Sequence, residues 1–110
     1  MPALRCYQSG KYENGKLIFN NFTLTECSSR DPSCRPDGEC THCLKVVGQE
    51  GIFLACEGEA HMKYLGLIKD GCIDANATKL GPTVQEDIEE YLGFHMKQIC
   101  TCKRDACNRP

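Results

Sequence analysis

The sequence predicts a small, disulfide-rich, mainly β domain that occupies the whole chain, residues 1–110. Three observations lead to this fold class: ten cysteines, no tryptophan beside four phenylalanines and four tyrosines, and several short apolar or alternating runs. A domain with so few large apolar residues would be marginally stable through packing alone. Five disulfides, at roughly 2 to 4 kcal/mol each, would match the whole stability of a small domain.

The composition also predicts where the protein works. Disulfides persist in oxidising compartments, so we expect an extracellular protein, either secreted or on the cell surface. Two N-glycosylation sequons, at Asn21 and Asn76, favour the same location. The net charge of -2 argues against a nucleic-acid partner, and no apolar run is long enough to span a membrane. No hydrophobic leader is visible, so we expect a mature or truncated form with any leader or membrane anchor outside these residues.

The N-terminal part is predicted to contain a hairpin and a further strand. Residues 4–8 and 16–19 are its two strands, joined by a turn that contains two glycines. Residues 22–27 alternate in polarity and form the further strand. The composition of residues 28–39, rich in Ser, Arg, Asp, Pro and Gly, is typical of a loop. We expect Cys34 and Cys40, with five residues between them, to form a local bridge there.

The second hairpin has the clearest strand pattern. Residues 43–47 and 52–56 are apolar, partly β-branched runs, and residues 48–51 join them with glycine at both ends. The cysteines at the outer ends of these runs would anchor the base of the hairpin. Residues 57–63 are polar without a clear pattern, and the short apolar run 64–68 is predicted as a strand.

One helix is predicted, over residues 84–92. Thr83 with Glu86 three residues later matches a capping box, and Gly93 is placed to end the helix. The apolar residues fall on one face: Val84, Ile88, Tyr91 and Leu92. A helix this short is unstable alone, so that face must pack on the sheet, and residues 94–102 follow as the last strand.

The C-terminal stretch, residues 100–108, holds three cysteines and an asparagine. Cys102 and Cys107 are close enough to bridge each other. We expect Cys100 to face the opposite side of the strand and to pair upstream. The C-terminus would then be a hub to which the preceding segments return.

The two ends of the chain carry the motifs Leu4-x-Cys6-Tyr7 and Cys100-x-Cys102-x-x-Asp105-x-Cys107-Asn108. With these motifs, the layout of the cysteines resembles the lymphocyte-antigen/urokinase-receptor (LU) family of three-finger domains, which includes snake three-finger toxins and the ectodomains of activin and bone-morphogenetic-protein receptors. The resemblance implies three antiparallel β-hairpin fingers on a disulfide palm, with one short helix in the third finger. It also implies that Asn108 forms hydrogen bonds across the palm.

The resemblance further implies a set of disulfides, which spacing alone does not select. The implied pairs are Cys6–Cys43, Cys27–Cys56, Cys72–Cys100 and Cys102–Cys107, with Cys34–Cys40 as an extra bridge. Ser9 stands where many family members have a second cysteine, and the usual partner of that cysteine is also missing. The loss of this whole bridge makes the first finger similar to that of type II receptor ectodomains.

The function implied by the resemblance is non-enzymatic binding of a protein ligand or receptor, without a cofactor. We expect a recognition domain of a lipid-anchored cell-surface protein or a receptor ectodomain. An exposed aromatic residue beside aliphatic ones would make a hot spot near the tip of the second hairpin. The candidate partner-binding residues there are Gln49, Glu50, Ile52 and Phe53. The alternative for Phe53 and its neighbours is that they belong to the core.

Other functions fit the sequence less well. A free, toxin-like secreted effector is the main alternative. A zinc site would use Cys40-x-x-Cys43, with His42 inside it, and Cys100-x-Cys102, but it would leave six cysteines unexplained. An enzyme would need His42, His61 or His95 to meet a carboxylate, and no catalytic motif surrounds these histidines, which we interpret as surface residues. A different disulfide-rich secreted fold would keep the location and change the architecture.

Overall fold

The computed structural model describes residues 3–13, 16–31, 33–36, 38–49, 51–66, 70–77 and 80–110, without the side chains of residues 10–13, 16–21 and 77. The fold is small and mainly β, with two antiparallel sheets, two short helices and five disulfides. The strands are β1 (Arg5–Glu13), β2 (Lys16–Glu26), β3 (His42–Gly48), β4 (Ile52–Glu57), β5 (Gly71–Asp74) and β6 (Met96–Cys102). The helices are α1 (Glu59–Leu65) and α2 (Pro82–Leu92), with a 3-10 turn at Ala75–Ala77. None of the helices in the described residues is long and apolar enough to cross a membrane.

The first sheet is the β1–β2 hairpin. Glu13 pairs with Lys16, so the register places the start of β1 opposite the end of β2, with Tyr7 opposite Leu24. The predicted pairing of residues 4–8 with 16–19 is therefore wrong. The short connection between Glu13 and Lys16 fixes the register, and the segments predicted as two strands form one continuous strand, β2.

The second sheet has four antiparallel strands in the order β4-β3-β6-β5. It confirms the second predicted hairpin, in which Cys43 lies opposite Cys56. Cys43 also lies opposite Cys102 on β6, so the cysteines of three strands meet at one end of the sheet. The two sheets touch where the backbone N–H of Leu54 in β4 donates a hydrogen bond to the Oγ of Ser9 in β1, at 2.8 Å. The side chain of Ser9 is buried.

All ten cysteines are disulfide-bonded, and the pairs are those that the resemblance implies. They are Cys6–Cys43, Cys27–Cys56, Cys34–Cys40, Cys72–Cys100 and Cys102–Cys107. Cys100 does pair upstream, but it does not face away from Cys102 as we expected. Residues two positions apart on a strand share a face, and the residue between them, Thr101, is the one that points into the apolar core.

Helix α1 replaces part of the strand predicted at residues 64–68, and residues 67–69 lie outside the described residues. The helix begins after Gly58 and ends at Gly66, which adopts a left-handed backbone conformation with φ 77°. Its apolar residues Met62 and Leu65, three positions apart, are buried against the sheet. This spacing is helical, and burial of both side chains decides the local structure in favour of the helix.

Helix α2 confirms the predicted helix and extends it towards the N-terminus. It begins at Pro82, after Gly81, and it has no side-chain cap, so the capping box predicted at Thr83 is wrong. Proline suits the first helical position because that position needs no N–H donor. Gly93 ends the helix with φ 83°, as predicted. The last strand begins at Met96, later than predicted, because Phe94 is buried in the core before the chain becomes extended.

Two separate clusters of buried side chains hold the molecule together. The cystine cluster lies between the two sheets and consists of Cys6, Cys27, Cys34, Cys43 and Cys56. The apolar cluster lies between the four-stranded sheet and the helices and consists of Leu44, Val46, Met62, Leu65, Ala75, Leu92, Phe94, Met96 and Ile99. Covalent bonds therefore dominate one half of the core, and apolar contacts dominate the other.

Candidate functional site

A wide apolar groove of about 780 Å³ opens on the helical side of the four-stranded sheet. Its floor is formed by side chains of the sheet that point to one face: Leu44, Val46, Met96 and Ile99. Leu44, Val46 and Ile99 share this face because side chains alternate along β3 and β6, and the register shift between Val47 and Gly48 brings Met96 to the same face. The volume is within the range of about 300 to 1,000 Å³ that is typical of ligand sites. We call this feature the groove.

Both helices contribute to the walls of the groove. Tyr64 and Leu65 line it from α1, and Ile88 and Tyr91 line it from α2. Tyr64 is 57% exposed and Tyr91 is 50% exposed, and they are two of the three large hydrophobic side chains that are exposed among the described residues. A tyrosine offers a large, rigid contact surface with a polar end, and it is enriched at the energetic centres of protein interfaces. The groove therefore has an apolar floor and an accessible aromatic rim.

The predicted partner-binding residues have different surroundings from those expected. Gln49 is exposed, Glu50 lies outside the described residues, and Ile52 and Phe53 are half-buried. Phe53 packs against the apolar cluster and also lines the groove. Phe53 therefore has both of the roles considered for it. Its side chain packs on the core and also forms part of the groove wall next to β4.

The backbone at the two ends of the turn in the second hairpin is covered by Phe94. A Cβ atom at Gly48 or Gly51 would clash with the ring of Phe94. Phe94 belongs to the connection between α2 and β6, and it is buried. Glycine is needed at both positions because the aromatic ring lies directly on the backbone of the turn. The sequence predicts a binding site at this turn, and the structure also contains the groove on the sheet face beside it.

His61 and Glu57 add a polar pair to the groove wall at the start of α1. The Nδ1 of His61 lies 2.5 Å from a carboxylate oxygen of Glu57, and its ring stacks on Tyr64 with 6.2 Å between centroids. The hydrogen bond to Glu57 raises the pKa of His61 above its ordinary value, although partial burial opposes the shift. Protonation would place a positive charge beside the buried carboxylate of Glu57.

The other two histidines have structural contacts. His42 is buried, so its interpretation as a surface residue is wrong, and its Nδ1 lies 2.7 Å from the Oγ1 of Thr41. Burial lowers the pKa of His42, and the positive charge of Lys103 adds to the effect. The exposed His95 lies 3.3 Å from a carboxylate oxygen of Glu89.

The cysteines of the proposed zinc site are occupied by disulfides. Cys40 is bonded to Cys34, and Cys43 is bonded to Cys6. Cys100 and Cys102 also have disulfide partners. Zinc binds the thiolate form of cysteine, so this ligand set would require the reduction of four disulfides.

Asn108 has the structural role that the resemblance implies. Its Nδ2 donates hydrogen bonds to the backbone carbonyls of Tyr7 and Leu44, both at 2.9 Å, and its Oδ1 accepts one from the N–H of Tyr7 at 2.8 Å. The side chain is 3% exposed. These bonds join β1 to β3 and leave the amide group fully paired. Asn108 therefore holds the two sheets together next to the cystine cluster.

The two predicted glycosylation sites differ in what the structure describes. Asn76 is exposed, in the 3-10 turn after β5, where a glycan would be accessible to solvent. Asn21 lies in β2, and its side chain is outside the described residues.

Sequence reasoning did not find the groove. Val84, Ile88 and Tyr91 were recognisable as one face of a helix, but this face was expected to be covered by the sheet. The sequence contains a signal for α1, which forms another wall: two glycines, Gly58 and Gly66, enclose apolar residues at helical spacing, among them Met62 and Leu65. The groove is the space that α1 and α2 leave on the face of the sheet.

Comparisons with known proteins do not assign this chain to a family. No protein-family model matches the chain, and no curated protein or solved structure is significantly similar to it.

Proposed function

We propose that this chain is a non-enzymatic extracellular recognition domain that binds a protein through the groove. The observation that carries the proposal is the open apolar groove with two half-exposed tyrosines on its rim, Tyr64 and Tyr91. The floor of the groove is buried, but its rim exposes large apolar side chains next to polar groups, which is typical of an interaction site. The five disulfides are consistent with an oxidising, extracellular environment.

We further propose that the architecture is a three-finger domain. In this arrangement β1–β2 is the first finger, β3–β4 is the second, and β5–β6 with α2 is the third. The disulfides Cys6–Cys43 and Cys27–Cys56 would join the first two fingers at the palm. Support comes from the two hairpins, from the cystine cluster and from the position of Asn108 between β1 and β3.

In this proposal the groove lies between the second and third fingers and supplies the specificity of the domain. Similar scaffolds bind different partners because the scaffold and the binding surface are separable. Tyr64, Tyr91 and Phe53 would enter the interface as aromatic anchors. The β1–β2 hairpin would act as a part of the scaffold and would contribute little to binding.

The proposal is tested with the glycosylated, oxidised domain on an array of extracellular proteins, followed by surface plasmon resonance on every positive. We expect the double variant Tyr64→Ala/Tyr91→Ala to weaken a specific interaction at least about tenfold, since interface tyrosines often contribute more than 1 kcal/mol each. Phe22→Ala is the matched control, because Phe22 is an exposed aromatic residue on β2, outside the groove. Binders that lose affinity with Phe22→Ala and keep it with the double variant would contradict the proposal.

A further inference from the structure

The disulfide between Cys72 and Cys100 has different surroundings from the other four. All ten cysteines lie in the described part of the chain, and Cys72 is the one that is exposed. The other four disulfides consist of cysteines that belong to the cystine cluster or pack against it. Cys72 and Cys100 lie outside both clusters of buried side chains. A thiol in solution therefore has better access to this bond than to the others.

Lys45 lies beside this disulfide in the sheet. Cys100 on β6 is directly opposite Cys72 on β5 and directly opposite Lys45 on β3. Directly opposite residues of antiparallel strands share a face, with Cβ atoms about 4.5 to 5.5 Å apart. The three side chains are on the face away from the groove, because the next residue on β6, Thr101, points into the apolar core. The cation of Lys45 is thus a neighbour of the Cys100 sulfur.

The disulfide and Lys45 line a pocket with more cationic than anionic groups. The cations are Lys45, Arg104 and Arg109, and the carboxylates are Asp70 and Asp105. Asp105 accepts a hydrogen bond from the backbone N–H of Arg5 at 3.0 Å. The Nζ of Lys45 donates a hydrogen bond to the backbone carbonyl of Arg109 at 2.9 Å, which holds the ammonium group without neutralising its charge.

Access and positive charge are the two conditions that favour thiol–disulfide exchange. Exchange needs an attacking thiolate to reach one sulfur of the bond, and exposed disulfides are the labile class. The other sulfur leaves as a thiolate, and it leaves faster when a nearby lysine or arginine stabilises that charge. Cys72 meets the first condition, and Cys100 beside Lys45 meets the second.

We propose that Cys72–Cys100 is a site of thiol–disulfide exchange, at which a protein dithiol reduces the bond. One thiol of the dithiol loses its proton to water, and its thiolate attacks the Sγ of the exposed Cys72 to form a mixed disulfide. The Cys72–Cys100 bond breaks, and its electron pair leaves with Cys100, whose thiolate is stabilised by Lys45 until it takes up a proton.

The second thiol of the dithiol completes the reaction. It also loses its proton and attacks the mixed disulfide, which releases Cys72 as a thiolate that is protonated in turn. The dithiol leaves as a disulfide, and two electrons have passed to the Cys72–Cys100 pair. This site lies on the other face of the sheet from the groove, so the inference does not depend on what the groove binds.

Reduction should loosen one defined part of the molecule. The disulfide closes the loop from Cys72 to Cys100, which contains α2 and the start of β6. Strand β5 has four residues and lies at the edge of the sheet. Without the disulfide, it is held by its backbone pairing with β6 and by the packing of Ile73 on the apolar cluster. The remaining four disulfides would still hold β1–β2 and the base of β3–β4.

Timed reduction of the folded domain tests the inference with dithiothreitol as the dithiol. Samples are quenched with N-ethylmaleimide, and the modified cysteines are located by tandem mass spectrometry of peptides. We expect Cys72 and Cys100 to be labelled at least about tenfold faster than the other eight cysteines. With glutathione in place of dithiothreitol, the trapped mixed disulfide should form on Cys72 and the maleimide should label Cys100.

Three variants test the role of Lys45. Lys45→Gln removes the cation, and reduction of Cys72–Cys100 should slow at least about threefold because the leaving thiolate is less stabilised. Lys45→Arg should retain the wild-type rate. Lys97→Gln is the matched control, because Lys97 is an exposed lysine on β6 that does not line the pocket, and it should leave the rate unchanged. A poorly folded variant would be reduced faster, so slower reduction reports the charge and not a loss of structure.

The order of opening in the wild-type decides the proposal. Earlier opening of Cys34–Cys40 or Cys102–Cys107, or simultaneous labelling of all ten cysteines, would overturn it. Equal rates for Lys45→Gln and Lys97→Gln would overturn the role of Lys45. Hydrogen exchange of the partly reduced domain should accelerate in β5 and α2 and stay unchanged in β1 and β2, and the reverse pattern would contradict the expected loosening.

Discussion

The two halves of this molecule reach a stable fold by different means. The β1–β2 hairpin is joined to the rest by Cys6–Cys43 and Cys27–Cys56, and its contact region is a cluster of cystines. The four-stranded sheet instead packs its apolar cluster under α1 and α2. Disulfides act mainly by restricting the unfolded chain, whereas apolar burial acts in the folded state. The half with the apolar core is also the half that bears the groove, so binding and packing depend there on the same side chains.

The largest loss of stability should come from removing a disulfide that joins the β1–β2 hairpin to the four-stranded sheet. Replacing Cys27 and Cys56 together by serine should lower the free energy of unfolding by about 2 to 5 kcal/mol, the usual cost of losing a native disulfide in a small domain. Hydrogen exchange should show protection lost first in β1 and β2. Urea unfolding of the variant and the wild-type gives the magnitude. Equal loss of protection in both sheets would contradict the division into two halves.

A comparable but local effect is expected in the apolar half. Ile99 is almost fully buried at the floor of the groove, so Ile99→Ala should cost about 2 to 4 kcal/mol through lost burial and the cavity that remains. Hydrogen exchange should then accelerate in β6 and α2 more than in β1. Leu24→Ala, at a half-buried position on β2, is the control in the other half. It should cost less than about 1.5 kcal/mol because the side chain of Leu24 is less completely buried than that of Ile99.

The junction between the halves should give a smaller effect. Ser9→Ala removes the acceptor of the hydrogen bond from the N–H of Leu54 and leaves this buried donor unpaired. The expected loss is about 1 to 3 kcal/mol in urea unfolding. Ser29→Ala, at an exposed position outside the junction, should change the stability by less than about 0.5 kcal/mol. Indistinguishable values for the two variants would show that the junction does not depend on this bond.

The smallest effect is a pH dependence with opposite signs for two histidines. The pKa of His61 is raised in the folded state, so its stabilisation is complete below the unfolded value of about 6.5 and is lost as the pH rises through the folded pKa. The pKa of His42 is lowered, so its contribution is present above about pH 6.5 and is lost as the pH falls. Because the side chain of His61 is 42% exposed, solvent screening should hold its effect below about 1 kcal/mol.

Unfolding at about pH 5.5 and about pH 8 measures both contributions. The stability difference between the wild-type and His61→Gln should be larger at the lower pH. The difference between the wild-type and His42→Gln should be larger at the higher pH. The same sign for both variants would contradict the assigned pKa directions.

Local signals in the sequence were sufficient for part of this fold. The β3–β4 hairpin has apolar, β-branched strands around a connection with two glycines, and α2 has an apolar face that ends at Gly93. The disulfide pairs followed from the resemblance of the two ends of the chain and not from spacing. Helix α1 was missed because it is only seven residues long, and its formation depends on the burial of Met62 and Leu65 against a distant sheet.

The groove was beyond local reasoning for a related reason. Its floor comes from β3 and β6, and its walls come from two helices that the chain reaches at different points. No segment alone contains the pattern, since the space arises where α1 and α2 lie apart on one face of the sheet. Phe53 lines the groove next to β4, and this position depends on the helices, so the hairpin sequence alone did not reveal it.

The most direct test of the groove as the recognition surface is an NMR titration of the isotopically labelled domain with the tightest-binding partner found on the array of extracellular proteins. We predict that the largest shifts occur in the methyl groups of Val84, Ile88 and Leu65 and in the rings of Tyr64 and Tyr91, all of which line the groove. The amide signals of β1 and β2 should remain almost unchanged. Shifts concentrated in the β1–β2 hairpin, with the groove signals unaffected, would contradict the account.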